Sequence, residues 1–369
     1  MDKNITRPGS IAEIIDLVHS ESSLLPIGGG TKPSLTQTDQ ETTLVDMRGI
    51  SGIIEYQASE YTITVNAGTT LSDVVAALGE NGQYLPFTPP FANKGATIGG
   101  AVAAGLSGPG AYRYGPLKDF IIGVRFIDGL GNYVKGGGKV VKNAAGFDFP
   151  KLFNGSIGRL GIMAELSFKV FPEPKTYVTL SASFDSSNDA IKILPKLLGF
   201  DLEGVELSSS NELHLRLGYQ EPTMAARKAG LEAIVGQPLE ITLGVHESKR
   251  WSSINDFSWK GEGAQLFKVA TNPSSANQLL EIVRQSDWNW HLSNGGKSLY
   301  LASSDAPLCK TLDTQLKKLH LSGLQLFGQT EALPIFGQTT GLSFVNRIQK
   351  ALDPKGLFLP FTATAAEPA

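Results

Sequence analysis

The chain has 369 residues, 41% of them hydrophobic and 18% charged, which excludes global disorder and is long for a single core. Its 32 Lys and Arg against 35 Asp and Glu leave a net charge of −3 and no nucleic-acid footprint. The single cysteine, Cys309, excludes an internal disulfide and any Cys-rich zinc or iron–sulfur site made by this chain alone.

The first residues are mixed and polar, without an apolar segment and cleavage site, and no run approaches the roughly 20 apolar residues of a bilayer span. A cytoplasmic location follows as the expectation, with membrane docking only through partner subunits. Ser10 is placed to cap a helix carrying Ile11, Ile14, Ile15 and Val18, with Glu13 closing a capping box. A strand over 24–27 enters Gly28-Gly29-Gly30-Thr31, and a second strand covers 43–47. Strands at 53–56 and 61–65 flank a turn, and Thr70 caps a helix with Leu71, Val74, Val75 and Leu78 on its apolar side.

Glycine, 41 residues against a usual level of roughly 7%, is densest between 95 and 161. Within that stretch the β-rich segment 120–127 closes on Asp128-Gly129, a hairpin turn. A strand over 162–170 follows, and Pro172 and Pro174 mark a domain boundary. Beyond it we read a helix over 189–198, strands at 203–207 and 213–217, a helix over 224–235 and a strand at 241–245. A strand at 267–269, a turn at Pro273-Ser274, a helix over 275–284 and a last helix over 344–352 complete the series. The expected fold is α+β, with domains at 1–174 and 175–361 and a flexible tail at 362–369.

Two uses compete for Gly28-Gly29-Gly30-Thr31: main-chain N–H groups converging on an anion, or a tight turn alone. The common nucleotide fingerprints fail. A GxGxxG motif begun at Gly28 would end on Pro33, which also spoils a helix there, and no Walker A pattern follows the strand. A phosphate bound here lies outside both arrangements.

The motifs do form an ordered series. PIGGGT at 26–31 resembles the first phosphate loop of the vanillyl-alcohol-oxidase/PCMH class of FAD-binding domains, and GATIGGAVA at 95–103 resembles its second. YRYGPLKD at 112–119, FIDGLG at 126–131, KNAAGFD at 142–148 and GSIGRLGI at 155–162 resemble the segments that follow. The string over 142–174 is most similar to FAD-binding subunits of glycolate-oxidising complexes. The resemblance implies a PCMH-type FAD-binding domain of two α/β subdomains, followed by a smaller α+β domain.

It also implies noncovalent FAD. Gly28, Gly29, Gly30 and Thr31 would surround the diphosphate. Thr97, Ile98, Gly99 and Gly100 would approach its other side, and Gly158, Gly161 and Ile162 would close around the nucleotide. Tyr114, with Phe87, Phe91 and Tyr112, would line the cofactor, or these aromatics only fix a loop. Arg113 and Lys118 stand equally for a substrate contact or a salt bridge. The implied partners are a related flavoprotein subunit and an iron–sulfur subunit, and the implied reaction is glycolate to glyoxylate, with electrons passed to a downstream acceptor.

Two departures bear on chemistry. His19, His214, His246, His291 and His320 show no metal-ligand spacing. DPKGLFLPF at 353–361 resembles a DPxGxFNPG closing motif, but Leu359 replaces Asn and Phe361 replaces Gly. No catalytic base is assigned, so the substrate step is expected mainly in the partner flavoprotein. An independent FAD oxidoreductase of another alcohol or 2-hydroxy acid, and a non-catalytic FAD-stabilised assembly subunit, stay open.

Overall fold

The computed structural model describes residues 4–38, 40–138, 147–329 and 334–361. The KNAAGFD motif as far as Gly146, and the tail 362–369, lie outside them.

The first unit holds two sheets. Strands Ile5–Thr6, Thr43–Asp46 and Leu24–Ile27 form a parallel sheet with Thr43–Asp46 in the centre. Helix Ile11–Ser20 packs Ile14 and Val18 against Leu24 and Val45. Ser10 caps it as expected, its hydroxyl accepting from Glu13 N at 3.2 Å, but the Glu13 carboxylate takes the Gly9 N–H at 2.9 Å instead of closing the box on Ser10 N. The second sheet is antiparallel, in the order Ile53–Gln57, Thr62–Asn66, Ile162–Lys169, Ile121–Ile127, Tyr133–Gly137. Its last hairpin turns at Asp128-Gly129, where Asp128 Oδ1 accepts from the backbone of both Leu130 and Asn132 at 2.9 Å. The α+β class and its PCMH-type architecture are borne out.

The second unit is built on one antiparallel sheet of nine strands. Its order is Glu240–Leu243, Tyr177–Ser183, Glu212–Gly218, Gly204–Ser208, Asn289–Ser293, Ser298–Ser303, Gln265–Ala270, Ser322–Phe327, Ile335–Gly337. The two-residue period of the strands sorts their side chains. Val178, Leu180, Leu213, Leu215, Val205, Leu207, Trp290, Leu292, Leu299, Leu301, Phe267 and Val269 share one core with the covering helices. Helices Ser187–Ile193, Glu221–Val235, Pro273–Val283 and Ala306–Lys318 supply Ile191, Leu231, Leu279 and Leu316 to it.

Three local expectations change. The strand expected at 241–245 ends at Leu243, because Gly244, at φ +61°, turns the chain into helix Gly244–Asn255. Pro273 is not a turn residue but the first residue of its helix, where no N–H is needed; Asn272 caps that helix in a reciprocal pair with Ser275. The helix expected through Leu198 is α-helical only to Ile193, and a 3₁₀ segment, Leu194–Gly199, accommodates Pro195 in its first turn.

After helix Leu342–Leu352 the chain returns to the first unit. Phe358 bridges Leu24 in parallel, and Leu24 N donates to Leu357 O at 2.9 Å. Leu357 and Phe358 join the core around Ile14. The largest core is shared: Leu35 and Phe91 from the first unit pack with Phe257, Leu266, Tyr300 and Leu326 from the second, and with Phe361.

Candidate functional site

Strand Leu24–Ile27 delivers residues 28–32 to the start of helix Ile98–Ala104. Thr97 caps that helix, its hydroxyl accepting from Gly100 N at 3.2 Å. The approach is backbone to backbone. A Cβ on Gly28 would stand 2.1 Å from Thr97 Oγ1, one on Gly29 1.8 Å from Gly95 O, and one on Gly99 2.7 Å from Ala67 O. Only glycine permits these contacts.

Two adjoining hollows of about 50 and 40 Å³ lie between the loops. Gly28, Gly29, Gly30, Thr31, Thr97, Gly99, Gly100, Gly158 and Gly161 converge on them. Ile98 and Ile162 do not line them; both are fully buried in the cores beneath. Tyr114 stands apart, its ring 5.1 Å from Phe171 and 4.8 Å from the Arg113 guanidinium. Phe87 is a core residue between Phe120 and Phe168.

Lys32, which the motif reading passed over, also lines the first hollow. Its side chain is 8% exposed. Nζ donates to Thr31 Oγ1 at 3.0 Å and lies 5.5 Å from the centre of the Phe91 ring. No carboxylate pairs with it among the described residues, and burial pushes its ammonium down to about 8. Only its position directly after GGGT could have marked it, and a loop lysine before a proline looks like any solvated cation.

The donors and the cation fit the diphosphate of FAD. The loops approach so closely that a Cβ would fill the gap, the helix start and glycine N–H groups favour an anion, and a buried ammonium lacks its counter-charge. The hollows correspond to the diphosphate end alone, not to a whole dinucleotide. A larger hollow of about 910 Å³ opens beside Gly138 and Asp148, at the two ends of segment 139–146, which lies outside the described residues, and it carries no functional reading.

The remaining candidates are structural or distant. Arg113 pairs with Asp201 at 2.6 Å and with buried Glu203, which settles it as a salt bridge, and Lys118 is exposed. His19 and His320 contact Leu130 O and Gln338, and His246 is exposed. His214 and His291 are buried on the nine-stranded sheet. Among the described residues no group of His, Cys, Asp or Glu could hold a metal, and no helix is long and apolar enough to cross a membrane. The altered closing motif has a packing role. Gln349 Nε2 donates to Leu359 O at 2.8 Å, Arg159 donates to Pro360 O, and Phe361 enters the shared core.

Residues 3–137 match the FAD binding domain family. The chain is 33% identical over 234 residues to glycolate oxidase subunit GlcE of Escherichia coli (strain K12), covering 62% of this chain and 66% of that protein. It is 32% identical over 187 residues to glycolate oxidase subunit GlcD of Bacillus subtilis (strain 168), covering 48% and 40% respectively. It is 31% identical over 212 residues to the mitochondrial D-lactate dehydrogenase [cytochrome] 1 of Saccharomyces cerevisiae, covering 56% and 36%. The chain thus spans at most 66% of these relatives' lengths. Residues 3–137 thus carry an FAD-binding domain, in a chain similar to glycolate oxidase subunits and D-lactate dehydrogenases.

Proposed function

We propose that the chain is the FAD-binding subunit of a glycolate-oxidising assembly, which converts glycolate to glyoxylate and passes the electrons to a downstream acceptor. The observation that carries this reading is the glycine cradle with Lys32 buried beside it. The Escherichia coli relative's name supports the substrate.

FAD, when bound, supplies a two-electron acceptor. The chain's own residues hold and orient it noncovalently. Backbone N–H groups of Gly28 and Gly29, the Thr31 hydroxyl and the Lys32 ammonium meet the diphosphate charge. The Thr97 hydroxyl is already engaged by Gly100 N, so it positions the helix start. A related flavoprotein subunit and an iron–sulfur subunit complete the assembly, because one cysteine cannot build an iron–sulfur relay. The assembly is cytoplasmic and reaches a membrane only through those partners.

The test is flavin content. Wild type reconstituted with FAD should carry about one flavin per chain, and Gly29→Val should retain less than about a tenth of it, since any Cβ there meets the Gly95 carbonyl. A folded chain that takes up no FAD, with or without its copurified partners, overturns the reading. An isolated chain that oxidises glycolate at the full rate of the assembly overturns the division of labour.

A further inference from the structure

The chain that leaves the phosphate loop reaches the second unit within a few residues. After Lys32 it makes a 3₁₀ turn, Pro33–Thr36, in which Leu35 N donates to Lys32 O at 3.0 Å. Two side chains of this stretch then meet one oxygen. Ser34 Oγ donates to Gly328 O at 2.8 Å, and Gln37 Nε2 donates to the same oxygen at 2.7 Å. Ser34 is 1% exposed, so its hydroxyl depends on that acceptor.

Gly328 follows strand Ser322–Phe327 and is itself fixed. Its φ of +113° is a backbone that glycine alone takes readily, and a Cβ there would stand 2.7 Å from Gln265 Cγ and from Gln325 Nε2. Gln325 Nε2 donates to Gln265 Oε1 at 2.9 Å and to Phe327 O at 3.2 Å, which ties down the preceding residue.

The second unit also backs the ring beneath the lysine. Phe91, its ring centre 5.5 Å from Lys32 Nζ, packs on Phe327 at 5.7 Å and on Phe257 at 5.2 Å. The place of Lys32 therefore depends on the second unit twice, through its main chain and through its ring contact. The cradle glycines differ, since Gly28, Gly29 and Gly99 approach Thr97, Gly95 and Ala67 of the first unit.

We propose that Gly328 is a positioning residue for the cofactor: by accepting from Ser34 and Gln37 it locks the loop that carries Lys32, and the second unit thereby sets how fast the flavin leaves. The glycine cradle admits the diphosphate, and the lock keeps the ammonium on it. Coupling of this kind is reciprocal, so bound FAD also steadies the turn at 327–329. The proposal rests on the FAD reading for the identity of the ligand.

Full-length chain loaded with radiolabelled FAD and chased with unlabelled FAD gives the release rate. The double variant Ser34→Ala, Gln37→Ala should release FAD about tenfold faster than wild type, and Gly328→Ala several-fold faster. Gln37 is half-buried, so Gln37→Ala alone serves should the double variant not fold, with an expected few-fold effect. Because the lock acts through Lys32, the same two changes should add less than about twofold in a Lys32→Met chain, whereas independent packing effects would multiply. Amide hydrogen exchange at 327–329 should slow on FAD loading in wild type and not in the double variant. The lock is overturned if the variants release FAD at the wild-type rate, if the full acceleration persists in Lys32→Met, or if exchange at 327–329 ignores FAD in wild type. A wild type that takes up no FAD removes the cofactor reading and the proposal with it; a wild type that retains FAD no longer than its variants removes the lock alone.

Discussion

Lys32 holds a charge in a place that resists it, and that makes the ligand-free fold gain stability as the solution turns alkaline. Its folded pKa is about 8, whereas the unfolded side chain keeps its proton to about 10.4. Between those values the unfolded state binds more protons, so stability must rise with pH from about 8 upward. Lys268, also lowered to about 8 by burial, acts with the same sign. Urea unfolding of the flavin-free chain between about pH 7.5 and 9.5 should show the rise. Lys32→Met should remove part of it, bound FAD should flatten it, and FAD affinity of that variant should fall about tenfold or more. A stability that falls across this range would contradict the assignment. The glycines of the same site were readable from sequence, because close approach demands that residue type. Lys32 was not, because nothing in its neighbours announces that the loop is buried.

At the scale of elements, sequence readability followed locality. The caps at Ser10 and Thr70 and the turn at Asp128 form within a few residues, and the sequence places all three correctly. The contact of Ser34 and Gln37 with Gly328 joins segments more than 290 residues apart, which no spacing rule reveals. The returning segment 353–361 is similar. Its departures from the closing motif suggested a missing part of a site, whereas Phe361 and Leu359 prove to be packing and backbone contacts. Phe358 is 2% exposed and pairs with the strand that carries the phosphate loop. Phe358→Ala should therefore cost about 3–5 kcal/mol in urea unfolding and raise the rate of flavin loss in gel filtration. A variant as stable as wild type would mean that the segment is dispensable.

On the scale of the molecule, the two units are coupled by more than a linker. They share one core, from Leu35 and Phe91 to Phe257 and Leu326. Glu203, on the second unit and nearly fully buried, accepts from Tyr84 Oη of the first at 3.2 Å and pairs with Arg113. Separating the units would break this pairing and expose the shared apolar surface to water. Heating the flavin-free chain in a calorimeter should give one cooperative transition. Two transitions, with one reproduced by residues 1–174 alone, would show that the units fold independently.

The bridge between Leu24 and Phe358 also orders events in time. One flank of the phosphate-loop strand is closed by Phe358, which is synthesised long after Leu24. All three glycine loops are synthesised long before that flank exists. Retention of the flavin is therefore expected only of a chain made at least as far as Phe358, since a shorter polypeptide carries the cofactor motifs with one flank of the phosphate-loop strand open.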